Sequence, residues 1–520
     1  MIQQYISLLF PDKKPNFQNI PPTFFADLQL EGISKAIISK YMEFDIRKYL
    51  YTLPNSLKTV EYRQEIYRDL EKNKHLVLGL KQYTNRLLEA ERSYKFYLQI
   101  EDTVKKGSYL LLTCQNYLAA LDLLAEILEQ ATMTSQGLNN LYQFLQGKMN
   151  EPDFQIFRDK VESAFAYMEQ LNLTLLLKDH EISVLEQDQE KEDSIIIQLQ
   201  EFMKAFGVEV DQEQTNDVVE NIFPAPLETS ALENTIIDIL QRSRPEAFRM
   251  LKDFSTFSFS LEDDCFVTLK EEFVFFISFY EFEQLLKEVG YSMQYPQINV
   301  DGSFFIENVY DVALAWKNRF SSEKVVPNDI SYQKEKSFLV ITGPNQGGKT
   351  TLARAMGQSV YFMLLGLKAP CSTMTTPFFE RILTHFEVEE SVETGAGKLK
   401  EELQRLRPMM LVDAKNSFVI LNELFTTATT YDAKIMARRV MEHFMEHHCW
   451  GIYVTHIQEL ADEKQIVGIQ SMVAQVDKQD HSVRTFRIIP MKAEGLGYSD
   501  SIVKKYHLGY DQMTERIADL

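Results

Sequence analysis

Hydrophobic residues recur at three- and four-residue steps through the first part of the chain. The spacing is most regular over residues 60–129, and it returns over 152–206, 232–254 and 269–289. This period is typical of amphipathic helices. We therefore predict that residues 1–320 are mostly α-helical, with one or two long helices over 152–206.

After residue 337 the pattern changes to short apolar runs that alternate with helical stretches. The apolar runs are 337–342, 381–388, 416–421, 450–455 and 485–489. This alternation predicts an α/β domain whose sheet is covered by helices on its faces. We expect a boundary near residues 300–325, which divides the chain into a helical region, 1–320, and an α/β domain, 321–520.

The charge distribution limits the possible partners. The chain has 54 Lys and Arg against 75 Asp and Glu, a net charge of −21. Within residues 181–240 there are 15 acidic side chains and two basic ones, Lys191 and Lys204. A field of this sign repels nucleic acid unless basic residues gather on one face. The segment is either a solvated helical surface or a docking site for a basic partner.

Cysteine usage and hydropathy favour a cytoplasmic protein. Cys114, Cys265, Cys371 and Cys449 are widely spaced and form no CxxC pair, as in reduced cytosolic proteins. No stretch approaches the roughly 18 uncharged apolar residues of a membrane span. The first ten residues lack the basic region of a signal peptide. We expect no membrane association.

A phosphate-binding loop is predicted at residues 343–350. Their sequence fits GxxxxGK[ST], follows the apolar run 338–341 and precedes a helical stretch. Glycines let backbone N–H groups face phosphate oxygens, and the helix N-terminus adds positive charge. Lys349 would contact the β- and γ-phosphates, and the Thr350 hydroxyl would bind Mg²⁺.

Two further strand ends carry candidate catalytic residues. The apolar run 417–421 is followed by Asn422 and Glu423, and Glu423 is a candidate base for activating water. Asn422 stands where an Asp is usual, so we expect weaker metal coordination. Because Mg²⁺ keeps several waters, binding should persist. His456, after the run 451–455, has the position of a γ-phosphate sensor.

The succession of these motifs resembles the ATPase domain of the MutS family. The most specific part is TGPNQGGKTT at 342–351; the likeness covers about 325–510 well and is weaker over 45–81 and 272–296. It implies a helical core and lever region followed by an ABC-type ATPase domain, in a DNA-binding dimer with two ATP sites facing each other. It assigns Glu423 and His456 to catalysis, Thr350 and Asn422 to Mg²⁺, and ATP binding to Asn328, Gly343, Pro344, Asn345, Gln346, Gly347, Gly348, Lys349, Thr350 and Thr351.

Several positions depart from the family pattern. Val325 lies where an aromatic residue usually stacks under the adenine. Residues 395–400, with Lys398, replace a Ser-Thr signature that contacts the partner's nucleotide, and residues 424–430 replace a glycine-rich turn. These changes predict slow hydrolysis. A clamp would be reduced to about 181–240, and we expect neither a mismatch-reading domain before the core nor a nuclease module after Leu520.

His443 and His447 were the remaining candidates for chemistry. Their i, i+4 spacing can hold Zn²⁺, but HExxH is absent. Histidines at a helix C-terminus also interact favourably with the helix dipole. We therefore predict no metal at these histidines.

Two functions are compatible with the sequence, and Asn422 together with the altered signature also allows a third, a slow or inactive ATPase. The first is an ATP-switched dimeric clamp on mismatched or branched DNA in repair or recombination. The alternative is a MutS-derived ATP switch that binds a protein partner and hydrolyses ATP slowly. The acidic segment favours the alternative, whereas the joint presence of the phosphate loop and the core pattern favours the clamp.

Overall fold

The computed structural model describes residues 6–169, 173–178, 181–186, 231–262, 264–387, 397–412, 414–477, 479 and 483–493. The chain divides into two compact units. The first comprises Met1–Lys72, Thr134–Gly137 and Val274–Leu520, and the second comprises Asn73–Met133 and Leu138–Phe273. These units differ from the predicted division at residue 320, because the N-terminal residues group with the C-terminal half. The division into 1–320 and 321–520 stays a prediction.

The helices are, in chain order, α1 (Thr23–Asp27), α2 (Leu30–Ile38), α3 (Arg47–Tyr51), α4 (Leu57–Lys72), α5 (Lys74–Gln99), α6 (Thr103–Gln130), α7 (Gln136–Met149), α8 (Pro152–Glu169), α9 (Ala231–Ser243), α10 (Pro245–Ser255), α11 (Cys265–Glu288), α12 (Val312–Lys317), α13 (Lys349–Leu364), α14 (Lys398–Leu411) and α15 (Thr430–Glu446). A 3₁₀ turn spans Gln458–Ala461. The strands are β1 (Leu173–Lys178), β2 (Glu181–Glu186), β3 (Gln297–Asn299), β4 (Phe305–Val309), β5 (Asn328–Ser331), β6 (Phe338–Thr342), β7 (Thr373–Pro377), β8 (Arg381–His385), β9 (Ser417–Asn422), β10 (Trp450–Val454), β11 (Ile469–Val476) and β12 (Arg484–Pro490).

The second unit is built around α6. The N-cap residue of α6 is Asp102, whose carboxylate accepts hydrogen bonds from the N–H groups of Val104 and Lys105 at 3.0 and 2.8 Å. Two N–H groups of the first turn, which lack partners within the helix, are therefore hydrogen-bonded. Gly107 permits a close crossing with α10, because a Cβ there would lie 1.8 Å from the carbonyl oxygen of Leu251. The helices predicted over 60–129, 232–254 and 269–289, which are shared between the two units, are confirmed.

The prediction of helix throughout 152–206 is wrong. Helix α8 ends at Glu169, and β1 pairs antiparallel with β2, with Leu173 opposite Glu186 and Lys178 opposite Glu181. Polar and apolar residues alternate through Glu181-Ile-Ser-Val, a two-residue period that favours a strand over a helix. Residues 187–206, and most of the acidic segment 181–240, lie outside the described residues.

Within the described residues, one helix is long and apolar enough to cross a membrane, namely α6. Of its most apolar window, 56% is buried inside the protein. A largely buried core helix passes the same test of length and composition, so α6 is weak evidence for a membrane span.

A six-stranded sheet forms the centre of the first unit. Its order is β12-β11-β6-β10-β9-β8, and all neighbours are parallel except β12 with β11. Every residue of β6 and β9 is buried, as expected for strands covered on both faces. Side chains of α14 and α15 pack on one face with Val419 and Leu421, whereas α13 approaches Ile420 on the other. The predicted α/β layering is therefore present.

The same unit contains a second sheet that the sequence pattern did not reveal. Its order is β3-β7-β4-β5, with β3 and β7 parallel and the other pairs antiparallel. The strands have three to five residues. Runs this short give too few alternating positions for a periodic signal.

A buried ionic cluster, here called the Lys368 cluster, joins α4 and α11 in this unit. The ammonium of Lys368 binds the carboxylates of Glu71 and Glu283, the latter at 2.8 Å. Tyr295 donates to Glu71, and Tyr67 donates to Glu283 at 3.0 Å. The Lys368 side chain is 10% exposed and that of Glu283 is 3% exposed. Hydrogen bonds thus satisfy charges that burial would otherwise penalise heavily.

Candidate functional site

The predicted phosphate loop connects the wholly buried strand β6 to the start of α13. Gly343 has φ 123° and Gly348 has φ 87°, conformations that favour glycine. A Cβ on Gly343 would lie 3.0 Å from the backbone nitrogen and oxygen of Ala474 in β11. The loop is therefore packed closely against β11, and α13 begins directly after it, at Lys349.

Lys349 folds back into this loop. Its ammonium donates to the carbonyl oxygens of Gly343 at 3.1 Å and Pro344 at 3.0 Å, and the residue is 6% exposed. Burial lowers the pKa of Lys349, and the nearby carboxylate of Glu423 acts in the opposite direction. The cation is thus placed in a partly desolvated loop, where it interacts strongly with an anion.

Thr350 and Asn422 meet beside the loop. The Thr350 hydroxyl donates to the side-chain oxygen of Asn422 at 3.0 Å. Asn422 is the last residue of β9, and Thr350 is the second residue of α13. Two oxygen ligands of the kind that Mg²⁺ prefers are therefore adjacent.

Glu423 and His456 come together at the carboxyl ends of two neighbouring parallel strands. The Nε2 of His456 lies 2.9 Å from Oε1 of Glu423, and the Glu423 N–H donates to the carbonyl oxygen of Val454 at 3.0 Å. The Glu423 side chain is 16% exposed and that of His456 is 49% exposed. A carboxylate in this position can accept a proton from water. The imidazole lies within hydrogen-bond distance of that carboxylate, and the role of His456 as a γ-phosphate sensor stays a prediction.

The loop after Glu423 has an unusual backbone. Glu423 has φ 53° and Phe425 has φ 60°, both in the left-handed region. Phe425 is buried, at 1% exposure, so the loop is anchored by its ring. Non-glycine residues in this region cost free energy that the surroundings must offset.

A cavity of about 580 Å³ opens next to the phosphate loop. Val325, Gln346, Gly348 and Thr351 line it, together with Phe486 of β12. Apolar and aromatic lining next to a phosphate site suits a nucleotide base. Phe486 did not stand out in the sequence, since only the antiparallel return of β12 brings it to the loop.

Asn328 has a structural role in this wall. Its side-chain nitrogen donates to the carbonyl oxygen of Phe486 at 3.0 Å, and its oxygen accepts from the N–H of Ile488 at 2.8 Å. The residue lines the cavity, but both polar atoms hold β12. Its predicted contact with nucleotide remains a prediction.

Arg484 is a second residue that sequence reasoning missed. Its Nε donates to the carbonyl oxygen of Asn345 in the loop at 3.2 Å, and its charge contributes to lowering the pKa of Lys349.

Residues 388–396, which hold the start of the altered signature, lie outside the described residues, as does the Lys398 side chain. Among the described residues, no group of three or more His, Cys, Asp and Glu could hold a metal ion.

Comparison with known proteins points to one family. A family model for MutS domain V matches residues 339–504, and one for the MutS2 N-terminal domain matches residues 55–169. Together they span more than half of the chain.

Curated relatives are named DNA mismatch repair protein MutS. The protein from Listeria monocytogenes is 26% identical over 179 residues, which are 34% of this chain and 21% of the relative. The one from Thermotoga maritima is 28% identical over 163 residues, 31% of this chain and 21% of the relative. The chain thus matches about a fifth of the length of these relatives. With the two family models and the geometry of the loop, these matches make the chain a member of the MutS family.

Proposed function

We propose that this protein is a Mg²⁺-dependent ATPase of the MutS type, acting as a dimer whose nucleotide state controls its binding to mismatched or branched DNA. The observation that carries the proposal is the juxtaposition of Lys349, the Thr350–Asn422 pair and the Glu423–His456 pair at one sheet edge. In this proposal the six-stranded sheet and its helices form a P-loop, ABC-type ATPase domain. The protein would act in the cytoplasm, in keeping with its four free cysteines.

The residues of the loop fit a triphosphate. Backbone N–H groups of the loop and the start of α13 would bind phosphate oxygens, and Lys349 would move from the carbonyls of Gly343 and Pro344 to the β- and γ-phosphates. Mg²⁺, when bound at Thr350 and Asn422, would neutralise charge that develops on the phosphates. Glu423 would take a proton from the attacking water, and His456 would hold the carboxylate in place.

The cavity beside the loop would receive the base. Val325 gives a small apolar contact there, and the half-exposed ring of Phe486 lies on the same wall. We therefore propose that Phe486 contributes the stacking surface that a valine at position 325 cannot provide.

DNA binding is best tested directly, because the relatives are named as DNA mismatch repair proteins. We would measure the fluorescence anisotropy of labelled homoduplex, mismatched duplex and four-way junction over a series of salt concentrations, with and without Mg-ATP. Binding that weakens steeply with salt and changes with ATP is expected for a nucleotide-switched clamp. Measurable ATP binding without DNA binding at low salt would contradict the DNA-directed proposal.

One observation favours a protein partner as a second candidate. The 15 acidic residues in 181–240 fall where a DNA clamp would be placed. A surface with that charge would bind a basic protein more readily than a phosphate backbone. Absence of DNA binding in the anisotropy experiment would make this segment the first place to seek such a partner.

Replacing Asn422 by Asp is expected to raise the affinity for Mg²⁺. The carboxylate would still accept the hydrogen bond from Thr350 and would add a negative charge, which should lower the Mg²⁺ concentration for half-maximal ATPase activity by roughly threefold to tenfold. Asn140→Asp, an exposed change on α7, adds the same charge outside the site and serves as the control. An unchanged Mg²⁺ dependence in Asn422→Asp would show that Asn422 does not face the metal.

A further inference from the structure

The N-terminal segment of the chain packs directly on the predicted ATPase region. The rings of Phe24 and Phe25 in α1 lie 5.9 and 5.8 Å from the ring of Tyr361 in α13. Gln358 of α13 donates to the carbonyl oxygen of Leu28 at 2.9 Å. The N-terminal segment therefore packs against α13, the helix that begins at the phosphate loop.

Asp27, the last residue of α1, lies at the centre of this contact. Its side chain is 8% exposed. One carboxylate oxygen accepts from the hydroxyl of Thr384 in β8 at 2.6 Å and also binds the guanidinium of Arg405 in α14. The Asp27 carbonyl oxygen accepts from Nε of Arg354 in α13 at 3.0 Å. A single buried carboxylate thus connects a strand of the central sheet to α14.

Arg405 continues the connection toward β8. It donates to the carbonyl oxygen of Phe386 at 3.1 Å, so its guanidinium is held by both a carboxylate and a backbone carbonyl. Because the planar guanidinium has a fixed set of donors, two such partners restrict the orientation of the side chain. The position of α14 is therefore coupled to Asp27.

One turn earlier on α14, Glu402 binds the loop that follows the candidate base. Glu402 is fully buried, and its Oε1 accepts from the N–H of Phe425 at 3.3 Å. Phe425 and Glu423 are the two left-handed residues of that loop. Strained backbone of this kind persists only when neighbouring groups hold it. Glu402 is one of those groups.

We propose that Asp27 is a positioning residue of the ATPase site, acting through Arg405 and α14 on Glu402, and through Glu402 on the loop that carries Glu423. The inference rests on the proposed ATPase function and extends its machinery to a residue about 300 positions before the region predicted from sequence. Asp27 would not contact ATP. It would fix the orientation of Glu423 relative to the attacking water.

This role has a distinctive kinetic consequence. Asp27→Asn should weaken the tie to Arg405 and lower kcat by about 10- to 100-fold, since small misplacements of a catalytic group cost about this much. The KM for ATP should stay within about twofold, because the Asp27 carboxylate binds Thr384 and Arg405 and the residue does not line the base cavity. Asp12→Asn, an exposed carboxylate paired with Lys58, should leave both constants unchanged.

The experiment is a steady-state ATPase assay of the full chain, combined with binding of a fluorescent ATP analogue. We would assay Asp27→Asn, Glu402→Gln, Arg405→Lys and the Glu402→Gln/Arg405→Lys double variant. The expected result is a lower kcat in each single variant, retained analogue binding, and a double variant whose loss is smaller than the product of the two single losses. Analogue binding also shows that a variant is folded.

The outcomes separate this inference from the proposed function. A wild-type protein without ATPase activity would contradict the proposed function itself. An active wild type with an unchanged kcat in Asp27→Asn would overturn the positioning role alone. If Asp27→Asn fails to fold, the Glu402 and Arg405 variants test the positioning role instead. A double variant whose loss of kcat equals the product of the two single losses would overturn that role.

Discussion

Replacing Glu423 by Gln is expected to lower the rate constant of ATP hydrolysis by about 100- to 10,000-fold while leaving ATP binding nearly unchanged. General-base catalysis contributes about this much, and Gln cannot accept the proton. The amide is isosteric with the carboxylate and can keep the contact with Nε2 of His456, now at 2.9 Å, so the loop geometry should survive. Single-turnover hydrolysis and equilibrium binding of a fluorescent ATP analogue separate the two effects.

Two controls make this result specific. Glu459→Gln removes an exposed carboxylate after β10, next to Lys434, and should retain full activity. Lys349→Ala should instead weaken ATP binding, because the ammonium that enters the phosphate loop is lost. Normal turnover in Glu423→Gln would mean that another residue activates water.

Replacing Lys368 by Met is expected to lower the free energy of unfolding by about 3–5 kcal/mol. The change removes the ammonium shared by the carboxylates of Glu283, which is buried, and Glu71, which is 21% exposed. Breaking a buried ion pair on one side costs about this much. Burial alone lowers the pKa of Lys368, but hydrogen bonds to Glu283 and Glu71 outweigh it, and the net shift is upward. The contribution to stability should therefore be lost as the pH rises through that elevated pKa.

Equilibrium unfolding in urea, followed by circular dichroism, measures this difference. Lys287→Met is the matched control, since Lys287 also pairs with Glu283, at 3.7 Å, but its side chain is 55% exposed. Its loss should stay below about 1 kcal/mol, as for other surface pairs. Equal losses of unfolding free energy in the two variants would show that the stabilisation by Lys368 does not depend on its burial.

The candidate site was predictable where it depends on local sequence. A glycine-rich motif between a strand and a helix predicts the conformation of the phosphate loop. Residues that directly follow parallel strands lie together at the carboxyl edge of the sheet. Lys349, Thr350, Asn422, Glu423 and His456 were found in this way, and the structure brings them together.

The parts that escaped prediction depend on contacts between distant segments. Phe486 and Arg484 reach the loop only because β12 returns antiparallel to β11. Asp27 lies in a helix of five residues, too short for a periodic signal, and its partner Arg405 is 378 residues away. The hairpin of β1 and β2 was missed because a neighbouring helical pattern was extended across it.

The separation of Asp27 from Arg405 has a consequence for biosynthesis. A ribosome adds about 5–20 residues per second, so the N-terminal helices emerge about 20–75 seconds before the 378 residues that end at Arg405 are complete. For most of that interval, until α13 has been synthesised as far as Leu364, Phe24 and Phe25 lack the helix surface that helps to bury them in the finished protein. The nascent chain therefore exposes apolar side chains near its N-terminus, and molecular chaperones would bind such a surface.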